Sequence, residues 1–452
     1  MRRDTIFAMS SAPGRAGVAV VRISGLDAGR ALEALAGARP PPRRARLARL
    51  ADPRSGETID QGLVLWFPGP RSFTGEDVAE LHLHGGRAVV AAALDALGAV
   101  PGLRPAEAGE FTRRAFDHGK LDLSEVEGLA DLIDAETEAQ RRQALRQMGG
   151  ALSRRSEAWR ERLVRVLARL EAAIDFPDED LPTGLAESVA PDILGIECEI
   201  AQCLDDDRRG ERLRDGLYIA IVGPPNTGKS SLLNALARRD VAIVSAVAGT
   251  TRDVIEVHLD LGGYPATLAD TAGLRALGSA AGETGQAAIE AEGMRRARAG
   301  AAAADLKLAV FDLREAPVFD RATLDLLDRD ALVVLNKADL VAAPGPTSVD
   351  GHPALSVSAK TGQGMSELLA RLEAEVAERL DRAGAAAPVT RARHRRALED
   401  CAAALDRAAA AGAPELAAED LRLAARALGR IAGRIDVEDV LDVIFRDFCI
   451  GK

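Results

Sequence analysis

The chain has 452 residues and a mass of 47.5 kDa, enough for about three domains of ordinary size. Apolar residues make up 47% and charged residues 28%, which excludes a disordered or fibrous chain, and no apolar run reaches the roughly 18 to 20 residues that span a bilayer. A net charge of −11, from 58 basic and 69 acidic residues, argues against strong autonomous binding to nucleic acid.

Residues 1–119 read as a small α+β domain. The opening MRRDTIFAMSSAPG has basic residues but no long apolar stretch, so no signal peptide is expected. Val18 to Ile23 and Leu63 to Phe67 are strand-like; Val78 to His84 alternates apolar and polar residues before Gly85-Gly86 opens a helix through Leu97. Pro40-Pro41-Pro42 and its Arg-rich neighbour read as a surface loop. In residues 120–214, Ser124 and Glu127 fit a capping box, and helical spacing continues without proline to Ala173. FPDEDLP, from Phe176 to Pro182, breaks that run, and a second helical stretch covers Leu185 to Arg209.

Residues 215–380 alternate apolar strands (YIAIVG, KLAVFDL, ALVVLNK) with helical segments, the pattern of a doubly wound parallel sheet. Residues 381–452 are helical again from Val389 to Ile450, with breaks near Gly412 to Pro414 and at Gly433. The economical arrangement is one helical domain, discontinuous in sequence, with the α/β domain inserted into it; two separate helical modules are the alternative. The cysteines Cys198, Cys203, Cys401 and Cys449 form no CxxC pair, so neither disulfides nor zinc are expected and a cytoplasmic location fits. Only six of the basic residues are lysines, so each Lys in an Arg-rich chain is a weak pointer to a needed ammonium.

Gly223 to Ser230 matches GxxxxGK[ST] between a strand and a helix. The loop residues Asn226, Thr227 and Gly228, with Ser231 at the helix start, would wrap a phosphate chain. Lys229 would reach the β and γ phosphates, and the Ser230 hydroxyl would bind Mg²⁺. Asn336, Lys337 and Asp339 form NKxD at a strand end, where Asp339 can accept hydrogen bonds that guanine offers and adenine does not. Ser358, Ala359 and Lys360 match the loop that contacts the guanine O6. Asp270, Thr271, Ala272 and Gly273 match DxxG, with Asp270 on Mg²⁺ through water. Between the P-loop and DxxG lies a first switch segment, Ser245, Ala246, Val247, Ala248, Gly249, Thr250 and Thr251, whose Thr251 can complete the Mg²⁺ shell. These motifs, in this order, read as a GTPase. Leu274 stands where a water-orienting Gln would be, and no arginine finger is evident. The chain ends Phe448-Cys449-Ile450-Gly451-Lys452, which puts a candidate nucleophilic thiol on a short tail.

Together with DTIFAMSSAPGRAGVAVVRISG, SFTGEDVAELHLHGG, GKLDLSEVEGLADLIDAET, GTTRD and the terminal CIGK, these motifs resemble the MnmE (TrmE) family of tRNA-modifying GTPases over essentially the whole chain. The resemblance implies a multidomain α/β plus α fold. It comprises an N-terminal α+β domain that binds folate and dimerises, a discontinuous helical domain, and an inserted Ras-like P-loop domain. It implies installation of a carboxymethylaminomethyl or aminomethyl group at C5 of the wobble uridine of certain tRNAs. The family works with an MnmG-type FAD protein and a 5-formyl- or methylene-tetrahydrofolate donor. Carried over, Arg22, Glu80, Lys120 and Lys452 line the folate site, and Cys449 is catalytic. Potassium, held by Asn226 and oxygens of Ser245, Val247 and Thr250, takes the place of the finger.

A family Glu after DTAGLR orients or activates the water; here the segment ALGSAAGETGQAAIEAEGMRRA carries an insertion of several residues, and its downstream IEAEGMRRA leaves Glu290 as the favoured candidate and Glu283, nearer DTAG, as the runner-up. Homodimer formation, tRNA binding and no membrane attachment are the implied associations. Rival readings are an Era-like ribosome-assembly GTPase and a non-enzymatic switch that binds GTP and folate. No GxxG loop with a basic face follows Leu380, which disfavours the first. Arg141, Arg142, Arg146, Arg154 and Arg155 read as a solvated helix face rather than a nucleic-acid surface.

Overall fold

The computed structural model describes residues 4–175, 190–239, 241–243, 255–270, 300–381, 389–435, 441, 444–445, 448 and 451. It divides into two compact units, one of residues 1–130, 147–197 and 397–452, the other of residues 131–146 and 198–396.

The first unit opens with a six-stranded sheet: β1 (Thr5–Met9), β2 (Ala16–Ser24), β3 (Arg46–Ala51), β4 (Thr58–Phe67), β5 (Val78–Gly85) and β6 (Leu103–Pro105), in the order β3-β4-β5-β2-β1-β6. All neighbours are antiparallel except β1 and β6. Successive side chains of a strand point to opposite faces. One set, which includes Val21, Ile23, Leu50, Val64, Trp66, Leu81 and Leu83, is buried with the apolar sides of α1 (Ala28–Ala36) and α2 (Arg87–Gly98). On the other face Ile6 and Ala8 pack with Phe111 of α3 (Glu110–Asp117). Towards β3 and β4 that face is open, and Val18, Leu47 and Leu63 stand 57%, 61% and 43% exposed.

Three further helices follow: α4 (Leu123–Asp134), α5 (Glu138–Met148) and α6 (Ala151–Asp175). The expected capping box is displaced by two residues. Asp122 accepts from the Glu125 amide at 2.9 Å, and Glu125 accepts from the Asp122 amide at 2.9 Å. Ser124 and Glu127 are instead buried, and the Ser124 hydroxyl pairs with Ser153 at 2.7 Å. Asp-x-x-Glu satisfies the same orphan amides as Ser-x-x-Glu, so both spellings fit the sequence and the helix start decides between them.

The stretch expected over Leu185 to Arg209 is α7 (Ala190–Leu204) followed by α8 (Arg209–Asp215). Asp207 and Arg208 break it with φ of 49° and 55°, a left-handed turn that no helix continues through.

The second unit carries a seven-stranded sheet: β7 (Leu217–Val222), β8 (Ile255–Leu261), β9 (Tyr264–Asp270), β10 (Leu306–Asp312), β11 (Ala331–Asn336), β12 (Ser348–Val349) and β13 (His352–Ser356), in the order β12-β13-β11-β10-β7-β9-β8. The five central strands are parallel, as the continuous apolar runs require, and the edge strands β8 and β12 are antiparallel. Helices α9 (Lys229–Ala237) and α11 (Met365–Leu380) bury one apolar side each against this sheet, α11 through Met365, Leu368, Leu372, Val376 and Leu380 at helical spacing. A short helix α10 (Arg321–Leu324) lies between β10 and β11 in sequence.

After the sheet come α12 (Ala392–Ala410) and α13 (Pro414–Ile431). Helices α13 and α6, which lie on either side of the α/β segment in sequence, pack together and are bridged by Arg422 to Glu171 at 2.6 Å. The two helical segments therefore pack against each other through this pair of helices. Among the described residues no helix is long and apolar enough to cross a membrane.

Candidate functional site

Strand β7 ends at Val222, and the turn after it bends three times through positive φ, at Gly223 (150°), Asn226 (64°) and Gly228 (92°). A Cβ at Gly223 would run into the Val310 carbonyl, so only glycine fits there. Lys229 is buried, and its ammonium donates to the carbonyls of Gly223 and Pro224 at 2.8 Å each. The Ser230 hydroxyl donates to the Asp270 carboxylate at 2.7 Å. A helix N-terminus, a buried cation and a hydroxyl–carboxylate pair thus converge at the carboxyl end of the parallel sheet. That set suits a polyphosphate, and the paired hard oxygens of Ser230 and Asp270 suit Mg²⁺.

The loops that carry NKxD and Ser358 to Lys360 are stitched to this cradle. Asn336, 2% exposed, donates its amide to the Thr227 carbonyl at 2.9 Å and accepts from the Ala359 amide at 3.1 Å. Ser358 donates to Asp339 at 2.6 Å, which fixes one Asp339 carboxylate oxygen. Lys337, at φ 67°, donates to the Asn226 carbonyl at 2.5 Å and to Asp312 at 2.8 Å. Asp312 also accepts from Arg314, through Nη2 at 2.6 Å and Nε at 3.0 Å. The Arg314 hydrogen bonds, with those of Lys337 behind them, hold the Asp312 carboxyl well below the usual carboxylate range against the opposing effect of burial.

On the six-stranded sheet, Arg22 of β2 and Glu80 of β5 are register partners. Arg22 donates Nε and Nη2 to one Glu80 oxygen at 3.1 and 3.0 Å, and His82 Nε2 lies 3.3 Å from the other. The guanidinium stacks 5.2 Å from the Phe73 ring. Phe73 belongs to the loop between β4 and β5. Beneath it Thr74 bonds Ser24 at 2.7 Å, and Glu76 accepts from Ser24 at 2.8 Å and from Arg114 at 3.1 Å. Lys120 donates to Pro70 of the same loop at 2.9 Å. The loop therefore links Lys120 to the Arg22–Glu80 pair. The tail meets this face too. Gly451, at φ 103°, gives its carbonyl to the Ser10 hydroxyl at 2.8 Å, and a Cβ there would overlap the Met9 backbone. Met9 is one residue from Ala8, the register partner of Arg22.

Asn226, Thr227, Gly228, Lys229, Ser230, Ser231, Asp270, Asn336, Lys337, Asp339, Ser358, Ala359 and Lys360 lie in described segments around the cradle and its loops, Arg22 and Glu80 are paired on β2 and β5, and Lys120 lies after α3, bonded to the loop between β4 and β5. Ser245 to Thr251, Thr271 to Gly273, Glu283, Glu290, Cys449 and Lys452 lie outside the described residues. Lys307, the one lysine outside any motif, pairs with Asp328. Arg141 pairs with Glu138 at 2.7 Å and Arg155 stacks 5.2 Å from Trp159, as solvated helix faces do. Sequence reasoning missed Asp312, Ser10 and Phe73. A carboxylate ending the apolar strand KLAVFD was the available signal for the first; the other two have no local signature. Cys203 and Cys401 are buried, and burial pushes the Cys401 thiol up to about 12, which leaves it inert.

Comparison with known proteins gives two family matches: the model described as GTP-binding protein TrmE N-terminus over residues 5–120, and that described as MnmE helical domain over residues 123–449. The chain is 58% identical over 450 residues to the tRNA modification GTPase MnmE of Paramagnetospirillum magneticum, covering 99% of this chain and 100% of that protein. It is 60% identical over 454 residues to the protein of that name from Parvibaculum lavamentivorans, covering 99% and 100%. It is 57% identical over 467 residues to the one from Rhodospirillum rubrum, covering 100% of both.

Proposed function

The chain belongs to the MnmE family of tRNA modification GTPases, and from that premise we propose that it is a K⁺-dependent GTP hydrolase coupled to C5 modification of the wobble uridine. The observation that carries the nucleotide half is the stitching of cradle to base loops through Asn336, since a single buried amide ties phosphate binding to guanine reading. Ser230 and Asp270, with Thr251, would hold Mg²⁺, which supplies charge between the β and γ phosphates. Asn226 and oxygens of Ser245, Val247 and Thr250 would hold K⁺ in place of a finger. Glu290, or Glu283 in its place, would orient the attacking water.

Arg22, Glu80 and Lys120, with Lys452 of the tail, would bind 5-formyl- or methylene-tetrahydrofolate. What supports this is an open sheet face where a carboxylate, two cations and the docked tail converge within one loop's reach. Glu80 can accept from the donor edge of a pterin, and Lys120 can pair with the folate glutamate. Cys449, two residues before the docked Gly451, would act there as a thiolate nucleophile. We read the chain as domains 1–119, 120–214, 215–380 and 381–452, in the cytoplasm, with tRNA as substrate and an MnmG-type FAD protein as partner. The exposed Val18, Leu47 and Leu63 support a homodimer through the open face, which sedimentation equilibrium checks as a mass of twice 47.5 kDa. Calorimetry with 5-formyltetrahydrofolate tests the folate site: binding should be measurable in the wild type and at least about tenfold weaker in Glu80→Ala, where the hydrogen bonds of a charged acceptor are lost. Equal binding would refute the assignment.

A further inference from the structure

One charged surface takes no part in the nucleotide or folate sites. Between residues 37 and 51 the chain has five arginines and no acidic residue, in a protein whose overall charge is −11. Two of the five have structural duties. Arg39 stacks 4.6 Å from Trp66 and pairs with Glu33, and Arg46 donates to the carbonyls of Ala36 and Ala38 at the end of α1. A third, Arg49, is tied to Thr58 and Gly56 on the edge strand.

Arg43 and Arg44 are different. Both are exposed, on the turn that follows Pro40-Pro41-Pro42, and neither has a carboxylate partner among the described residues. The Arg43 amide donates to the Trp66 carbonyl at 2.8 Å, which fixes the turn at the end of β4. Its guanidinium donates to the carbonyl of Arg71, itself exposed and also without a carboxylate partner among the described residues. Arg71 follows Pro70, whose carbonyl holds Lys120. Three exposed arginines without a carboxylate partner among the described residues therefore come from two segments that meet where Arg43 reaches the Arg71 carbonyl, Arg71 lying one residue along the loop from the Lys120 contact and two before Phe73, which carries Arg22.

We propose that Arg43, Arg44 and Arg71 form a docking corner for an RNA sugar–phosphate backbone, which delivers the substrate base to the face that holds Arg22, Glu80 and Lys120. This deepens the reading of the chain as acting on tRNA and rests on it. Clustered arginines offer forked donors that match phosphate oxygens, and paired carboxylates would cancel that field. A local positive corner also resolves the tension between an acidic chain and an RNA substrate, because phosphate contacts depend on the charge within a Debye length and not on the total. The Arg43 amide bond to Trp66 and its side-chain bond to Arg71 hold the backbone of the turn and loop that carry them. The contacts are few, so binding is weak, these groups add only about 2 to 3 to the salt slope, and no sequence is read.

Fluorescence anisotropy of full-length protein with a labelled 17-nucleotide anticodon stem-loop tests this, across a KCl series, for wild type, Arg43→Ala/Arg44→Ala/Arg71→Ala and the matching triple Lys variant. The Ala variant should bind about tenfold or more weakly at low salt, and its slope of log K on log salt should be shallower by about 2, at roughly 0.7 to 0.9 per lost phosphate contact. The Lys variant should recover most of the slope. GTP turnover and 5-formyltetrahydrofolate binding should stay at wild-type levels in both, which also reports that they fold. Wild-type binding with no change in the Ala variant would overturn the docking corner while leaving the tRNA reading standing. No RNA binding by the wild type would overturn both. Unchanged RNA binding with lost association to the FAD protein would show a protein-docking surface instead, and overturn the assignment to RNA.

Discussion

Replacing Asp312 by Ala or Asn should weaken guanine-nucleotide binding without disabling hydrolysis of bound GTP. Asp312 is 3% exposed and touches no nucleotide motif in sequence, yet its carboxylate holds Lys337 at 2.8 Å and Arg314 at 2.6 Å. With the carboxylate gone, Lys337 keeps the Asn226 carbonyl as its one partner among the described residues, and the link between cradle and base loop loosens. A hydrogen bond between charged groups contributes about 1.5 to 3 kcal/mol. The Lys337 side chain is 24% exposed, so solvent screens part of this and the lower end applies, about 1.5 to 2 kcal/mol or roughly 10- to 30-fold in Kd. Stopped-flow titration with a fluorescent GDP analogue measures Kd, and single-turnover hydrolysis at saturating GTP measures the chemical step. The step should change by less than about threefold, because Asp312 lies on the base side. Acid adds a second readout. The folded Asp312 carboxyl titrates below its ordinary value of 3.8, so its contribution is full above that pH and is lost as pH falls through the lowered value. Wild type and Asp312→Asn should thus differ in stability near neutrality and converge in strong acid. An unchanged Kd, or an equal loss in the chemical step, would refute the clamp.

GTP turnover should be stimulated strongly by KCl and hardly by NaCl, and Asn226→Ala should shrink that ratio. Since supplied positive charge is worth about 10³ to 10⁵ in a related GTPase, equal rates in the two salts would mean that an unrecognised protein cation does the work. Cys449→Ser should abolish tRNA modification and leave GTPase turnover nearly intact; parallel losses in both assays would make the thiol structural. Gly451→Ala should reproduce the modification defect, because φ of 103° and the Met9 backbone both exclude a Cβ, and a tail that stayed active would contradict its docking at Ser10.

How much of this was legible in the sequence depended on whether the signal was local. The P-loop, NKxD and strand pattern of the α/β segment are local, and β7, β10 and β11 lie where YIAIVG, KLAVFDL and ALVVLNK put them. The capping box was legible in kind but not in register, since Asp122 and Ser124 head equivalent patterns and burial of Ser124 against Ser153 settles which one caps. The Arg22–Glu80 pair is a cross-strand register fact, its partners 58 positions apart, and only a resemblance could anticipate it. The contact of Ser10 with Gly451 spans 441 residues and has no sequence signature at all. Asp312 fell between these cases, visible as a charge at a strand end but without a stated partner.

The central claim, that one chain couples GTP hydrolysis to wobble-uridine chemistry, is tested most directly by nucleoside mass spectrometry of tRNA from a strain lacking the gene. The strain would be complemented by wild type, by Lys229→Ala or by Cys449→Ser. The account predicts that C5 aminomethyl-type uridines vanish on deletion, return with wild type, and stay absent with either variant. Modified uridine persisting at wild-type levels in the deletion strain, or returning with Lys229→Ala, would contradict it.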